Sequence, residues 1–361
     1  MKRYFQDRLE QIVLSDSQST PYEASFMVDD LAQYPHCLYK YRSCDQEYNF
    51  EMLEEEYLWA SLPNSFSDPT DSLINWDIQT NYRQICRWLC QHSAEMIYYR
   101  IPPEGMSPCK QGQTLQRYIE AQKAYAYSDG RYDMRRVKSK LLVETKKLPK
   151  DIQGEIKSFF DALEGPDLQA TADLLVKKTF GDMTEFLREK ARICCLTSRK
   201  DNQKMWEEYA QMYTGFVVEY DLARTKKHAE VAQVLFQTFP VSYHKRMPKV
   251  PLLPFLELWF QKHYYKQNVD IYDSMLKLYQ QMLVKKYDYR AEEEWRILTG
   301  QSKISLPIIS AVYMGYRIAE KDEQRLREIC TRKNICLYKQ RFDLIRGEMT
   351  FDLLQGEGKT S

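Results

Sequence analysis

The stretch Leu38-Tyr39-Lys40-Tyr41-Arg42 alternates aromatic and cationic side chains, and this alternation predicts a β-strand. Successive side chains of a strand point to opposite faces of the sheet, so the two tyrosines lie on one face and Lys40 and Arg42 on the other. Two cations on one strand face can hold an anion. The alternative is that Arg42 pairs with a carboxylate, Asp68 or Asp71, and fixes a loop.

The sequence around this strand predicts an alternation of helices and further strands. An acidic helix near 50–56 and a short strand near 57–60 come next, and a second helix is predicted over 320–332. Short apolar runs predict strands at 193–196, 215–220, 295–298, 308–313 and 335–338. The predicted fold class is therefore α+β, with a mixed or antiparallel sheet core.

Two long stretches with helical spacing interrupt the predicted strands, at about 73–190 and about 250–287. We find no internal repeat and no low-complexity tract. The simplest interpretation is one α+β domain over residues 1–346 that carries two large helical insertions. Residues 347–361 are expected to form a flexible tail.

Composition excludes several classes of protein. With 43% hydrophobic and 29% charged residues among 361, the chain has the profile of a globular protein. Lys and Arg total 52 and Asp and Glu total 51, so a net charge of +1 gives no global attraction to nucleic acid. We find no signal peptide and no apolar run long enough to span a membrane, so we expect a cytoplasmic protein without a membrane partner.

The sequence contains no recognisable metal, hydrolase or nucleotide-binding motif. Cys86, Cys90 and His92 lie close together but lack a paired C-x-x-C spacing, so no metal site is predicted. The nine cysteines are expected to be buried thiols without disulfides. No G-x-S-x-G elbow, P-loop or dinucleotide fingerprint is present among only 12 glycines.

Two hydroxyl residues, Thr197 and Ser198, follow a predicted strand and precede a predicted helix that Asp201 can cap. Hydroxyls and free backbone amides at a helix start suit a phosphate or a ribose. Trp206 and Tyr209 within that helix have the spacing of core residues.

Three acids, Glu292-Glu293-Glu294, stand at the start of an apolar strand. In extended geometry Glu292, Glu294 and Arg296 share one face of that strand. A solvated strand entrance is one interpretation of these acids. The other is that Glu294 faces a pocket, where a fixed carboxylate stabilises a cationic transition state.

Together, the motifs Y-K-Y-R (39–42), F-x-D-P (66–69), M-W-x-x-Y-A (205–210) and E-x-E-W-R (292–296) resemble those of a bacterial family of uncharacterised domains. More distantly, the order of Arg42, Leu196-Thr197-Ser198 and Glu292-Glu293-Glu294 resembles ADP-ribosyltransferases of the Arg-Ser-Glu type. Leu196 departs from that pattern, which has a serine at this position.

The second resemblance implies an ADP-ribosyltransferase-like sheet and NAD as the substrate. It makes Glu294 the acid that stabilises the ribosyl cation, Glu292 the residue that faces the acceptor, and Ser198 the residue that orients the acid. The residues implied to bind NAD are Lys40, Tyr41, Arg42, Thr197, Trp206 and Tyr209.

The expected activity is an NAD-dependent ADP-ribosyltransferase, or an NAD glycohydrolase, that acts on an unidentified protein or nucleic-acid acceptor. The alternative is a noncatalytic module for protein interaction or ligand sensing. In that case the same Arg and Glu residues would form a structural ion-pair network.

Overall fold

A computed structural model describes residues 2–18, 28–66, 68, 71–72, 74–77, 143, 146, 150, 191–227, 229–251, 254–255, 258, 270, 272–343, 345 and 348–356. The chain divides into two compact units. The first comprises Met1–Leu73, Phe186–Pro248 and Met275–Ser361, and the second comprises Ile74–Glu185 and Lys249–Ser274. The second unit corresponds closely to the two predicted insertions. The sequence analysis predicts one domain with two insertions, whereas in the structure the inserted residues form a compact unit of their own.

The helices and strands below are those of the described residues, in chain order. The helices are α1 (Arg3–Gln18), α2 (Glu47–Glu54), α3 (Gln203–Glu208), α4 (Ala229–Phe236), α5 (Tyr272–Gln281) and α6 (Glu320–Lys333). The strands are β1 (Cys37–Arg42), β2 (Tyr57–Trp59), β3 (Trp76–Asp77), β4 (Arg192–Thr197), β5 (Phe216–Asp221), β6 (Thr238–Pro240), β7 (Ser242–His244), β8 (Val250–Pro251), β9 (Val284–Lys286), β10 (Glu294–Thr299), β11 (Lys303–Ser305), β12 (Ile309–Met314), β13 (Cys336–Asp343) and β14 (Glu348–Gln355). Short 3₁₀ helices cover Val28–Gln33, Pro63–Ser65, Leu222–Lys227 and Tyr287–Glu292.

The first unit is built on an eight-stranded sheet in the order β14-β13-β12-β5-β1-β4-β10-β6. Its neighbouring strands are antiparallel except for β12 and β13, which are parallel and are connected by α6. The prediction of a mixed sheet combined with helices is therefore confirmed. All residues of β5 and β12 are buried, which explains why these two strands have continuous apolar sequences.

Gly215 lets β5 begin directly beside the end of β1. A Cβ atom at this position would overlap the carbonyl oxygen of Arg42 and would lie 3.1 Å from the backbone of Ala210. Only glycine permits such a close backbone approach. This contact fixes the end of β1, which carries Arg42.

Helix α3 differs from its prediction at both ends. Its N-cap is Asn202, whose side chain accepts a hydrogen bond from the Met205 amide at 3.2 Å. Asp201, the predicted cap, instead accepts from Arg199 at 2.8 Å. The helix ends at Glu208, before the predicted last turn, because residues 211–213 have positive φ angles of 48° to 68°.

The C-terminal residues were predicted to form a flexible tail, and this prediction is wrong over Glu348–Gln355. These residues form β14, which pairs antiparallel with β13 along its length. Met349 and Phe351 pack against an aromatic cluster that contains Trp206 and Tyr313. Burial of these apolar side chains stabilises β14 in the sheet. The sequence pattern did not predict this strand because its stability comes from contacts with distant residues.

In the second unit β3 and β8 form a short parallel pair, with Trp76 opposite Val250. Trp76 packs edge to face on Phe255, with 5.0 Å between ring centroids. Helix α5 lies within the predicted 250–287 insertion, whereas β9 shows that the last residues of that stretch are extended. Most of the insertion predicted at 73–190 lies outside the described residues, as do Cys86, Cys90 and His92.

Candidate functional site

A cleft of about 1040 Å³ opens in the first unit where β1, β4 and β10 lie side by side. Its lining contains cations, carboxylates and aromatic rings. The predicted site residues in this lining are Lys40, Tyr41, Arg42, Tyr209, Glu292 and Glu294. The lining also includes Met52, Asp68, Asp71, Cys195, Lys204, Lys285 and Tyr289.

Strand pairing brings three distant sequence segments into one row. Tyr39 of β1 lies opposite Thr197 of β4, and Thr197 lies opposite Glu294 of β10. Strand β4, which ends at Thr197, thus lies between β1, which carries Arg42, and β10, which carries Glu294. Sequence order alone does not show this adjacency, because the strands are separated by more than 90 residues.

A buried ion-pair network forms one wall of the cleft. It contains three carboxylates and two cations: Asp71, Glu292, Glu294, Lys285 and Arg296. The Lys285 Nζ atom lies 2.7 Å from Glu292, 2.9 Å from Glu294 and 3.8 Å from Asp71. Arg296 lies 2.7 Å from Glu294 and 2.8 Å from Asp71. With all five groups ionised, the network carries one more negative charge than positive charge.

Glu294 is held as a carboxylate. Burial alone would raise its pKa, but the charges of Arg296 and Lys285 outweigh that effect and lower the pKa to about 2. Its Oε1 atom accepts a hydrogen bond from Arg296, and its Oε2 atom accepts one from Lys285. Its carboxylate therefore stays charged and keeps a fixed orientation at the cleft wall.

The pKa of Glu292 shifts in the opposite direction, above its ordinary value. Burial raises its pKa, and the attraction of Lys285 compensates only in part. Its Oε2 atom accepts from Lys285 at 2.7 Å, whereas its buried Oε1 atom makes no hydrogen bond with the described residues. Glu292 ends a 3₁₀ helix and is not in the strand, since Glu293 adopts a left-handed conformation with φ of 43°. The predicted extended geometry is wrong at Glu292, but Lys285 still brings the two carboxylates together.

Two half-buried cations, Lys40 and Arg42, line the cleft from β1, which β4 separates from β10. The Lys40 Nζ atom donates to the Cys195 carbonyl at 2.5 Å, and the Arg42 guanidinium contacts the Met52 sulfur at 3.3 Å. Within the described part of the chain neither cation forms a salt bridge. The alternative pairing of Arg42 with Asp71 is therefore not seen, because Asp71 binds Arg296.

The hydroxyl residues lie beside the cleft and do not line it. The Thr197 hydroxyl donates to the Glu292 carbonyl and accepts from the Arg199 amide at 3.0 Å. The Ser198 hydroxyl donates to the Glu293 carboxylate at 2.6 Å. The resemblance implies that Ser198 contacts the catalytic acid, Glu294. In the structure Ser198 contacts the neighbouring Glu293 instead, and Glu293 adopts a left-handed backbone conformation.

The aromatic residues divide between core and cleft. Trp206 is fully buried, and its indole N–H donates to the Lys200 carbonyl at 2.9 Å. Its implied contact with NAD is therefore wrong, because it is a core residue that packs against Tyr41. The Tyr41 hydroxyl donates to the Arg199 carbonyl at 3.1 Å. Tyr209 is 41% exposed, so its ring is open to a ligand.

Sequence reasoning missed Lys285 and Tyr289, although both line the cleft. The Lys285 ammonium lies 4.8 Å from the centre of the Tyr289 ring, and Lys204 lies 5.0 Å from it. The one available signal was the run of acids at 292–294, since buried carboxylates require a nearby cation. Asp68, one of the two predicted partners of Arg42, is partly buried and lines the cleft.

Among the described cysteines, at positions 37, 44, 194, 195, 330 and 336, the structure shows no disulfide. Among the helices that the structure describes, none is both long enough and apolar enough to cross a membrane.

Comparison with known proteins gives a family match for part of the chain. Searches of the curated proteins and of the solved structures find no match. Residues 205–297 match a family described as "Protein of unknown function (DUF2971)". The matched segment contains Lys285, Glu292, Glu294 and Arg296, and it begins after Arg42. The chain is therefore similar to an uncharacterised family over the region that carries the acidic half of the cleft.

Proposed function

We propose that the cleft binds NAD and cleaves the bond between nicotinamide and ribose, as an ADP-ribosyltransferase or an NAD glycohydrolase. The observation that carries this proposal is the buried network at the cleft wall, in which three carboxylates share two cations and Glu294 is held ionised. Cleavage of this bond develops positive charge on the ribose. A fixed carboxylate that is ionised before the reaction stabilises such a charge without reorganisation.

In the proposed mechanism Glu294 acts on the ribosyl cation. The bond between ribose C1′ and the nicotinamide nitrogen breaks, and its electron pair leaves with nicotinamide, which becomes neutral. A nucleophile of the acceptor, or water, then bonds to C1′ and loses a proton. Glu292 is suited to accept that proton, because its raised pKa makes it a stronger base than an ordinary carboxylate.

Other residues of the cleft lining could bind the pyrophosphate and a planar ring of the dinucleotide. Lys40 and Arg42 provide positive charge for the pyrophosphate. Tyr209 and Tyr289 provide aromatic faces for a planar ring. The volume of about 1040 Å³ lies at the upper end of the usual range for small-molecule pockets, which is about 300 to 1000 Å³.

One observation favours the noncatalytic alternative. Each oxygen of Glu294 already accepts a hydrogen bond from a buried cation, as expected of a structural ion-pair network. On this alternative the cleft binds an anionic ligand without converting it. The same cations and aromatic residues then serve recognition only.

The test combines calorimetric titration with NAD and an assay for nicotinamide release. The wild type should bind NAD and release nicotinamide, and Glu294→Gln should lose turnover by about 100-fold or more while it retains binding. Arg42→Ala should weaken binding. Glu348→Gln, at an exposed position on β14, is the matched control and should behave as the wild type.

Two outcomes would contradict the proposal. Binding of NAD by the wild type without nicotinamide release would favour ligand sensing. Absence of any binding would exclude NAD as the ligand of this cleft. Thermal melting of each variant separates loss of function from loss of fold.

A further inference from the structure

We propose that His36, Cys37 and Asp221 form a zinc-binding site at the other end of β1, remote from the cleft. The ligand atoms of the three residues lie within 4.8 Å of one another. Cys37 and Arg42 are the two ends of β1, so they are separated by roughly 17 Å at the usual rise of a strand. The site therefore has no part in the cleavage proposed above.

The backbone brings these three residues together. Cys37 of β1 lies directly opposite Asp221 of β5 in the antiparallel ladder. The Leu222 amide donates to the His36 carbonyl at 3.2 Å, which extends the pairing by one residue. The two chain segments are thus held in register on both sides of the candidate ligands.

Two of the three distances between donor atoms are close to those of a tetrahedral zinc site, and the third, from the Cys37 Sγ atom to the Asp221 carboxylate, is at most 4.8 Å. The His36 Nδ1 atom lies 3.5 Å from the Cys37 Sγ atom and 3.7 Å from the Asp221 Oδ1 atom. Ordinary zinc bond lengths in tetrahedral geometry place a nitrogen and a sulfur ligand about 3.5 Å apart, and a nitrogen and an oxygen ligand about 3.3 Å apart. The His36 side chain is 74% exposed, so it has room to adjust its position when a metal binds.

The donor set selects the metal. One imidazole nitrogen, one thiolate sulfur and one carboxylate oxygen suit Zn²⁺, whereas Ca²⁺ and Mg²⁺ require oxygen ligands. Binding converts the Cys37 thiol to a thiolate and releases its proton to solvent. Because His36 is exposed, a water molecule can complete the tetrahedron.

The surroundings orient Asp221 toward this site. Its Oδ1 atom accepts a hydrogen bond from the Ala223 amide at 3.1 Å, a typical supporting contact for a metal-binding carboxylate. Its Oδ2 atom lies 3.9 Å from Arg224, whose guanidinium also donates to the Ile309 carbonyl at 2.6 Å. The Arg224 guanidinium is thus held near the Oδ2 atom of Asp221, and the Oδ1 atom faces His36.

The test uses the full chain after treatment with a chelator, titrated with Zn²⁺ and separately with Co²⁺. The wild type should bind one tight equivalent of Zn²⁺, and its Co²⁺ form should show a thiolate-to-metal charge-transfer absorption. His36→Ala and Cys37→Ser should each lower the Zn²⁺ affinity by at least about 10-fold. Cys37→Ser should also abolish the charge-transfer absorption.

Two matched controls locate the effect. His244→Ala removes another exposed histidine, and Cys44→Ser removes another accessible thiol, so both should retain wild-type affinity. Absence of tight Zn²⁺ binding, or binding that His36→Ala and Cys37→Ser leave unchanged, would overturn the proposal. If Cys37→Ser fails to fold, His36→Ala decides the case, because its side chain is mostly exposed.

Discussion

At the scale of single residues, the central feature is a pair of glutamates with opposite titration behaviour. Glu294 lies between Arg296 and Lys285, and its pKa falls to about 2, while burial raises the pKa of Glu292. Only two positions separate them in the sequence. Such divergence is a common property of acid and base pairs in enzymes, and it also arises in structural ion-pair networks.

The depressed pKa of Glu294 predicts an acid-dependent loss of stability. A carboxyl whose pKa falls from 4.5 to about 2 on folding stabilises the fold above pH 4.5, and this contribution disappears as the pH falls through about 2. At neutral pH Glu294→Gln should be less stable than the wild type. The difference should shrink by roughly 3 kcal/mol between pH 6 and pH 2, because the wild type then also carries an uncharged group.

Urea denaturation at several pH values measures this difference. Glu348→Gln is the control and should be as stable as the wild type, since that side chain is exposed. A difference between Glu294→Gln and the wild type that does not change with pH would show that Glu294 has an ordinary pKa.

At the scale of secondary structure elements, β14 is the clearest departure from expectation. It extends the sheet beside β13 and contributes Phe351 to the aromatic cluster. The Phe351 ring packs edge to face on Tyr313, with 5.0 Å between centroids, and Lys200 lies 5.8 Å from its centre. The strand is thus part of the packed sheet.

Replacement of Phe351 by alanine should therefore destabilise the protein. We expect a loss of about 1 to 3 kcal/mol, less than for a fully buried phenylalanine because Phe351 is half-buried. Leu353 on the same strand is 42% exposed, so Leu353→Ala should change stability by less than about 0.5 kcal/mol. Equal melting temperatures for the two variants would mean that β14 does not pack on the sheet in solution.

At the scale of the first unit, Arg296 connects segments that are far apart in the chain. It is fully buried and binds Glu294 on β10, Asp71 in the loop after β2 and the Met282 carbonyl after α5. Desolvation makes a lone buried charge costly, so the carboxylates depend on this cation. The network is therefore a requirement of the fold as well as of the cleft.

Arg296→Met should destabilise the protein by about 3 to 5 kcal/mol, because it leaves Asp71 with weaker compensation inside the protein. Arg341→Met is the control. Arg341 pairs with Asp352 at 2.5 Å, but both side chains are largely exposed, so its loss should cost less than about 1 kcal/mol. Equal effects of the two substitutions in chemical denaturation would refute the structural role of the network.

Local patterns predicted the central strands of the sheet well. The alternation in 38–42 and the apolar runs at 193–196, 215–220, 295–298 and 308–313 each correspond to an observed strand. These patterns are readable because side-chain periodicity and β-propensity are properties of a few consecutive residues. The predicted helix at 320–332 corresponds to α6 for the same reason.

The site depended on contacts that no local pattern contains. Lys285 meets Glu292 and Glu294 because a 3₁₀ helix and a left-handed residue at Glu293 turn the chain back toward β9. Asp71 meets Arg296 across 225 residues. The sequence by itself determined the residue types and the strands that carry them. Strand order and the chain reversal at Glu293 decided which charged side chains share a buried environment. Charges interact strongly there because solvent screens them weakly, and these interactions set their pKa values and their pairing.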